Sequence, residues 1–77
     1  MHVEILSPDF QLYEGEAEHL QLPGQDGSFG LLDNHAPMIA GLKEGKVKLR
    51  NKDGEQEFEI KGGVVEVLKN KVMVMAE

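Results

Sequence analysis

The sequence predicts an all-β domain, a small sandwich or barrel of short antiparallel strands. Nine glycines and three prolines punctuate 77 residues at short intervals. The runs between them alternate apolar and polar residues, the period of half-buried strands. Few gaps between these turn-formers are long enough for a helix of three turns.

The first run, His2 to Ser7, sets Val3 and Ile5 on one face and Glu4 and Leu6 on the other. Phe10 to Glu14 opens a second strand. Gly15 then marks a bulge or tight turn before Ala17 to Leu22, where Ala17, His19 and Gln21 oppose Glu18, Leu20 and Leu22. Leu22 to Pro37 reads as a long irregular loop. It holds Pro23, Gly24, Gly27 and Gly30, one short apolar run from Phe29 to Leu32, and a second turn at Asp33-Asn34-His35-Ala36-Pro37. Lys46 to Asn51 alternates cleanly, with Val47 and Leu49 inward and Lys46, Lys48 and Arg50 outward. Asn51-Lys52-Asp53-Gly54 predicts a hairpin turn, because Asp-Gly tolerates the positive φ of tight hairpins. Glu55 to Lys61 returns with Phe58 and Ile60 inward, and its acidic outer row suits pairing with the basic row opposite. Gly62-Gly63 is a local kink.

Val64 to Leu68 and Val72 to Ala76 form a last hairpin, turned at Lys69-Asn70. Both of its faces are apolar: Val65 and Val67 against Val64 and Leu68, Val72 and Val74 against Met73 and Met75. A sheet with one face in water shows a polar row there. Two readings stay open. Something covers the outer face, or the hairpin is buried centrally in a small closed barrel.

Seventy-seven residues make one domain, spanning residues 1–77, that buries only roughly 60% of the surface its unfolded chain exposes. There is no cysteine, so no disulfide and no thiolate metal site. Only Phe10, Tyr13, Phe29 and Phe58 are aromatic, so aliphatic and Met packing must supply the core. Fourteen acidic against eight basic residues give a net charge of −6, which repels phosphate backbones and argues against nucleic acid as a partner. The same field disfavours direct attachment to an anionic membrane. The opening MHVEILSPDF has neither the charge nor the apolar run of a signal or transit peptide, and no run approaches the roughly 20 residues of a membrane span. The expectation is a soluble protein starting at its functional N-terminus.

Chemistry-bearing sets are weak. Ser28, His35 and Asp33 could be written as a nucleophilic triad, but no nucleophile-elbow pattern surrounds them. Asp26, Asp33 and His35 lack a metal-ligand spacing. Gly24, Gly27 and Gly30 match no phosphate-binding fingerprint, and no helix follows them. Glu14, Glu16 and Glu18 read as a solvated sheet edge. His35 suits a turn-capping role before Pro37 better than a partner contact, on its residues alone. No cofactor is expected.

Several segments together carry a family resemblance. Leu22-Pro23-Gly24, Gly27-Ser28-Phe29-Gly30 and Asn34-His35-Ala36-Pro37 follow one another as in the signature loop of the epsilon subunit of rotary F-type ATP synthases, called delta in mitochondria. His2 to Pro8 resembles that family's opening strand, Tyr13 to Ala17 its Tyr/Phe-x-Gly turn, and Gly62 to Val67 with Lys71 to Glu77 its closing hairpin. The resemblance covers essentially the whole chain. It implies a flattened β-sandwich of ten short strands. It implies a non-catalytic subunit at the foot of the central stalk that binds the gamma subunit and the membrane c-ring and couples proton-driven rotation to ATP synthesis. The membrane is met only through the c-ring, on the cytoplasmic side of a bacterial inner membrane or the stromal face of a thylakoid. By matching positions, Asp26, Gly27, Ser28, Phe29 and Gly30 would face the c-ring. His35, Ala36, Pro37, Met38, Ile39 and Leu42 would meet gamma. The outer face of the terminal hairpin, with Met73 and Met75, would be a further docking face.

Two departures from the family pattern matter. Many members carry an acidic residue within Gly-x-x-Gly, where this chain has Ser28 and Phe29, with Asp26 close by. The C-terminal helical hairpin of typical members is absent, so inhibition and ATP sensing are not assigned. A biotin- or lipoate-carrier-like domain is the alternative reading. Val72-Met73-Val74-Met75 echoes a carrier's Met-Lys-Met turn, with Val74 where the modified lysine would stand.

Overall fold

Alternation along the chain sorts the side chains into an inner and an outer set. In the computed structural model, which describes residues 1–77, that sorting produces nine strands and no helix. They are β1 (His2–Leu6), β2 (Gln11–Glu16), β3 (His19–Gly24), β4 (Gly27–Leu32), β5 (Met38–Leu42), β6 (Gly45–Asn51), β7 (Gly54–Ile60), β8 (Gly63–Leu68) and β9 (Lys71–Ala76). Hydrogen bonds link them in the order β2-β1-β9-β8-β5-β3-β6-β7, with β4 on the other edge of β3. The sheet folds over at β5 and β3, which meet only at Leu42 and Gly24. The single nine-stranded sheet thus wraps into a nearly closed sandwich with extents of 26 × 24 × 19 Å.

Val3, Ile5, Leu20, Leu22, Leu31, Val47, Leu49, Val65 and Val74 fill the space between the layers, fully or almost fully buried, and no polar side chain is buried with them. β2 and β7 end the path without main-chain pairing to each other, and side chains close that seam. The Tyr13 and Phe58 rings lie 5.8 Å apart, within the range of favourable aromatic pairs. Asn51 Nδ2 donates to the Tyr13 hydroxyl at 3.2 Å, which donates to the Glu16 carbonyl at 3.1 Å.

The all-β class stands, with three differences in detail. Nine strands form instead of ten. Ser7 to Phe10 satisfies itself as a closed turn, the Ser7 N–H donating to the Phe10 carbonyl at 2.8 Å and the Phe10 N–H to Ser7 Oγ at 3.1 Å. Asp33 to Pro37 stays a loop, with Asn34 left-handed at φ 63° and Pro37 lacking an N–H. One pairing is parallel: β1 runs alongside β9, Val3 beside Val72 and Ile5 beside Val74.

The third difference is the largest. Leu22 to Gly30 is a β-hairpin, not an irregular loop, because β3 runs on to Gly24 and β4 begins at Gly27. Two of its glycines, Gly24 and Gly30, are sites of close approach, and Gly27 alone serves the chain reversal. A Cβ on Gly24 would lie 2.5 Å from the Gly27 carbonyl oxygen and 2.7 Å from the Phe29 ring. The same spacing that suggests turns thus lets two strands and a ring close up.

The two predicted hairpin turns also form, with their strain in different places. At Lys52-Asp53 the positive φ falls on Gly54 alone, at 123°, and Asn51 Oδ1 accepts the Asp53 N–H at 2.9 Å. At Lys69-Asn70 both residues are left-handed, φ 51° and 60°, the pattern of a type I′ turn. Lysine is poorly suited to that conformation and asparagine is well suited. Lys69→Asn should therefore stabilise the domain by about 0.5–1 kcal/mol, raising the melting temperature by about 3–6 °C in a scanning calorimeter. An unchanged midpoint would mean that the turn carries no such strain.

Candidate protein-docking site

The predicted contact residues fall on three neighbouring features. The first is the β3–β4 hairpin. Its tip, Gln25 and Asp26, turns the chain, and Gly27 follows at φ 132° with open space around it. Asp26, Gly27, Ser28 and Gly30 are exposed, while Phe29 is half-buried against the core. Ser28 Oγ accepts a hydrogen bond from Gln21 Nε2 at 3.0 Å across the strand pair.

The second feature is the loop and strand that follow. The Asn34 N–H donates to Asn70 Oδ1 at 2.7 Å, tying the loop to the β8–β9 turn. Asp33 pairs with the Met1 amino group, which also donates to the Ala17 carbonyl at 2.9 Å. His35 Nδ1 donates to the Ala36 carbonyl at 2.7 Å, the local backbone bond that a turn-capping histidine makes. Its ring remains exposed, as do Ala36, Pro37 and Ile39, and Met38 is half-buried. Leu42 differs from the others of its predicted set: at 2% exposed it belongs to the core, at the corner between the layers.

The third feature is the outer face of β1, β9, β8 and β5. Neighbouring positions across paired strands share a face. Leu6, Met75, Val64 and Gly41 stand side by side in one row, and Glu4, Met73, Glu66 and Ile39 in another. Ile39 is 72% exposed, Leu68 52% and Met75 42%, while Met73 is half-buried. The terminal hairpin is central in the sheet order, yet its outer face is open. The reading of a hairpin buried on both faces inside a closed barrel does not hold, because Val64, Leu68 and Met75 are exposed on the outer face.

Two shallow depressions join the features. One is lined by Asp26, Gly27 and Phe29 together with Met38 and Ile39, so the predicted c-ring and gamma sets meet there. The other runs from Pro37 and Ile39 to Glu66 and Leu68. Sequence reasoning singled out Met73 and Met75 on this face but not Val64, Leu68 or Leu6 as contact residues. The register needed to align them is set between strands distant in sequence.

The polar groups of Ser28, Asp33 and His35 have separate partners, Gln21, the Met1 amino group and Ala36. No group of three or more His, Asp or Glu side chains is placed to hold a metal ion. Val74, which stands where a carrier domain would have its modified lysine, is fully buried in β9.

An all-β sandwich with an open, partly apolar face beside a hairpin and a tied loop defines a small β-domain with a candidate docking face. The whole chain, residues 1–77, matches the family model described as "ATP synthase, Delta/Epsilon chain, beta-sandwich domain", and the chain belongs to that family. It is 36% identical over 77 residues to the ATP synthase epsilon chain of Caulobacter vibrioides, covering all of this chain and 90% of that one. It is 41% identical over 76 residues to the epsilon chain of Dichelobacter nodosus, covering 97% of this chain but 53% of that one. It is 38% identical over 76 residues to the chloroplastic epsilon chain of Tetradesmus obliquus, covering 99% of this chain and 56% of that one. Apart from the Caulobacter protein, the chain thus spans little more than half the length of these relatives. Among solved structures, a chain in the Tetrahymena thermophila mitochondrial ATP synthase central stalk and c-ring superposes with a TM-score of 0.83 at 17% identity, over 97% of this chain and 61% of that one. A chain of the Euglena gracilis mitochondrial ATP synthase gives 0.89 at 17% identity, over 96% and 48%. These two likenesses speak to the fold. The family assignment also removes the carrier-domain alternative.

Proposed function

We propose that this domain is a non-catalytic central-stalk component that binds the gamma subunit and rests on the c-ring, coupling ring rotation to ATP synthesis. The observation that carries the reading is the outer face of β5, β8 and β9, where Ile39, Leu68 and Met75 stand in water on a chain of this family. Large apolar side chains left in water on one sheet face, here with Glu66 standing between Ile39 and Met73, are the ordinary mark of a protein interface. Gamma docks on Ile39, Met73 and Met75 with His35, Ala36, Pro37 and Met38 at its margin, and Leu42 supports that strand from inside. Asp26 to Gly30 at the hairpin tip faces the c-ring. The protein sits peripherally on the membrane through that ring, on the side where the catalytic head lies.

Ile39→Glu and Met75→Glu place charge at exposed positions, so both variants should fold. The few residues at the centre of an interface that carry most of its energy cost about 2 kcal/mol or more when lost, above a tenfold effect. Each variant should weaken binding to the cognate gamma subunit at least tenfold by calorimetry, with Lys52→Glu, on the β6–β7 turn, as an unaffected control. The same variants should restore less proton-driven synthesis when added to an epsilon-depleted ATP synthase. Wild-type affinity in both would end the assignment of this face.

A further inference from the structure

Three strands, β2, β7 and β4, have a partner strand on one side only. β2 carries Glu14 and Glu16, and β7 carries Glu55, Glu57 and Glu59. Charges on an edge oppose pairing with another chain. β4 reads GSFGLL, with neither a charge nor a proline, and β3 is its sole strand partner.

The direction of its free main-chain groups follows from β3. The Pro23 carbonyl accepts the Lys43 N–H at 2.9 Å, and the Gln25 N–H donates to the Gly41 carbonyl at 3.0 Å. Both bonds run to the β5 side, away from β4. Successive residues in an antiparallel pair alternate between bonded and non-bonded positions. Pro23 stands opposite Ser28, Gln21 opposite Gly30 and His19 opposite Leu32. The N–H and C=O groups of Ser28, Gly30 and Leu32 therefore face outward. All three residues are exposed, Leu32 at 60%. Such a row is a template for an added strand.

The charge distribution selects the strand. Every Lys and Arg lies at or after Lys43, so β1 to β5 carry none. Asp26 precedes β4 and Asp33, paired with the Met1 amino group, follows it. A second copy would bring the same acidic flanks and another net −6 to the edge. A cationic segment meets one like charge there, the Met1 amino group, which Asp33 and the Ala17 carbonyl already hold, and Asp26 is left free of an ion pair.

We infer that the β4 edge takes up an extended, Lys- or Arg-bearing segment of a different protein chain as an added strand. The inference rests on the coupling reading in one respect: the donor is a neighbouring subunit of the same assembly. It goes beyond that reading by assigning the contact to main-chain bonds of alternate residues.

Amide hydrogen exchange of the domain, free and bound to a complex of the cognate gamma subunit and c-ring, tests it. Ser28, Gly30 and Leu32 should slow at least tenfold on binding, while Phe29 and Leu31, already bonded to β3, should not change. Leu32→Lys should weaken binding at least fivefold, and Leu32→Glu should not. Both substitutions sit at an exposed position and should leave the melting temperature in place. Binding with the three amides exchanging at their free rates would overturn strand addition and leave the coupling reading intact. A folded domain that binds neither subunit would overturn both. Protection of these amides in the isolated domain, with a dimer's mass, would make a second copy the occupant and refute the inference. Equal weakening by Leu32→Lys and Leu32→Glu would refute the cationic donor.

Discussion

Gly63→Ala should cost the domain about 4 kcal/mol, the largest effect expected from removing or adding a single methyl group. Gly63 opens β8 at φ 145° and pairs with Ala76 of β9. A methyl group there would overlap the Met75 carbonyl oxygen and lie 3.0 Å from Ala76 Cα. Both neighbours are main chain in a central strand pair, so neither can swing aside. The strained φ costs about 1–3 kcal/mol and forced overpacking about 1–3 more. Against a total stability of about 0.05–0.15 kcal/mol per residue, that is a third or more of what a small domain has. Gly54→Ala separates the two causes. Gly54 has φ 123° but open space around it, so only the conformational penalty applies, about 1 kcal/mol. Urea unfolding followed by circular dichroism measures both variants. Equal losses would show that the approach to Met75 is not what requires glycine at position 63.

Leu20→Ala should cost about 3–4 kcal/mol. β3 is the strand on which β4, β6 and β5 all converge. Leu20 is fully buried at its centre, with Leu31 of β4 on one side and Leu49 of β6 on the other, both also buried. Truncation leaves a cavity between two strands that their ladders hold in place. Leucine truncations in such sites cost about 2.7–5 kcal/mol, rising with the volume left unfilled. Leu32→Ala, one residue beyond Leu31 on the opposite face of β4, should stay within about 0.5 kcal/mol because Leu32 is mostly in water. Similar losses for Leu20 and Leu32 would contradict the assigned register of β3 on β4, since a slip by one residue exchanges the two faces.

The inner set of side chains was legible because the strand period is two. Val3 and Ile5, Val47 and Leu49, Val65 and Val67, and Val72 and Val74 all point inward as alternation requires. The basic and acidic outer rows of β6 and β7 do meet, Lys46 and Lys48 approaching Glu57 at 3.6 and 4.0 Å. Half-exposed pairs of this kind contribute little to stability. The β3–β4 hairpin was not legible. Gly24, Gly27 and Gly30 signal turns when read locally, and nothing local says that Phe29 needs the space beside Gly24.

The candidate docking face divides in the same way. Local pattern marked the terminal hairpin as apolar on both faces and His35 as a turn residue. The amino-acid sequence by itself determined the strand period, the inward set, the turns at Gly54 and Lys69-Asn70, and the family. Tertiary structure decided the parallel pairing of β1 with β9, the row of Leu6, Met75 and Val64 on an open face, and the outward main chain of β4. Each of these depends on register between strands far apart in the chain. Register is decided by packing and main-chain bonding across the fold, which no run of neighbouring residues encodes.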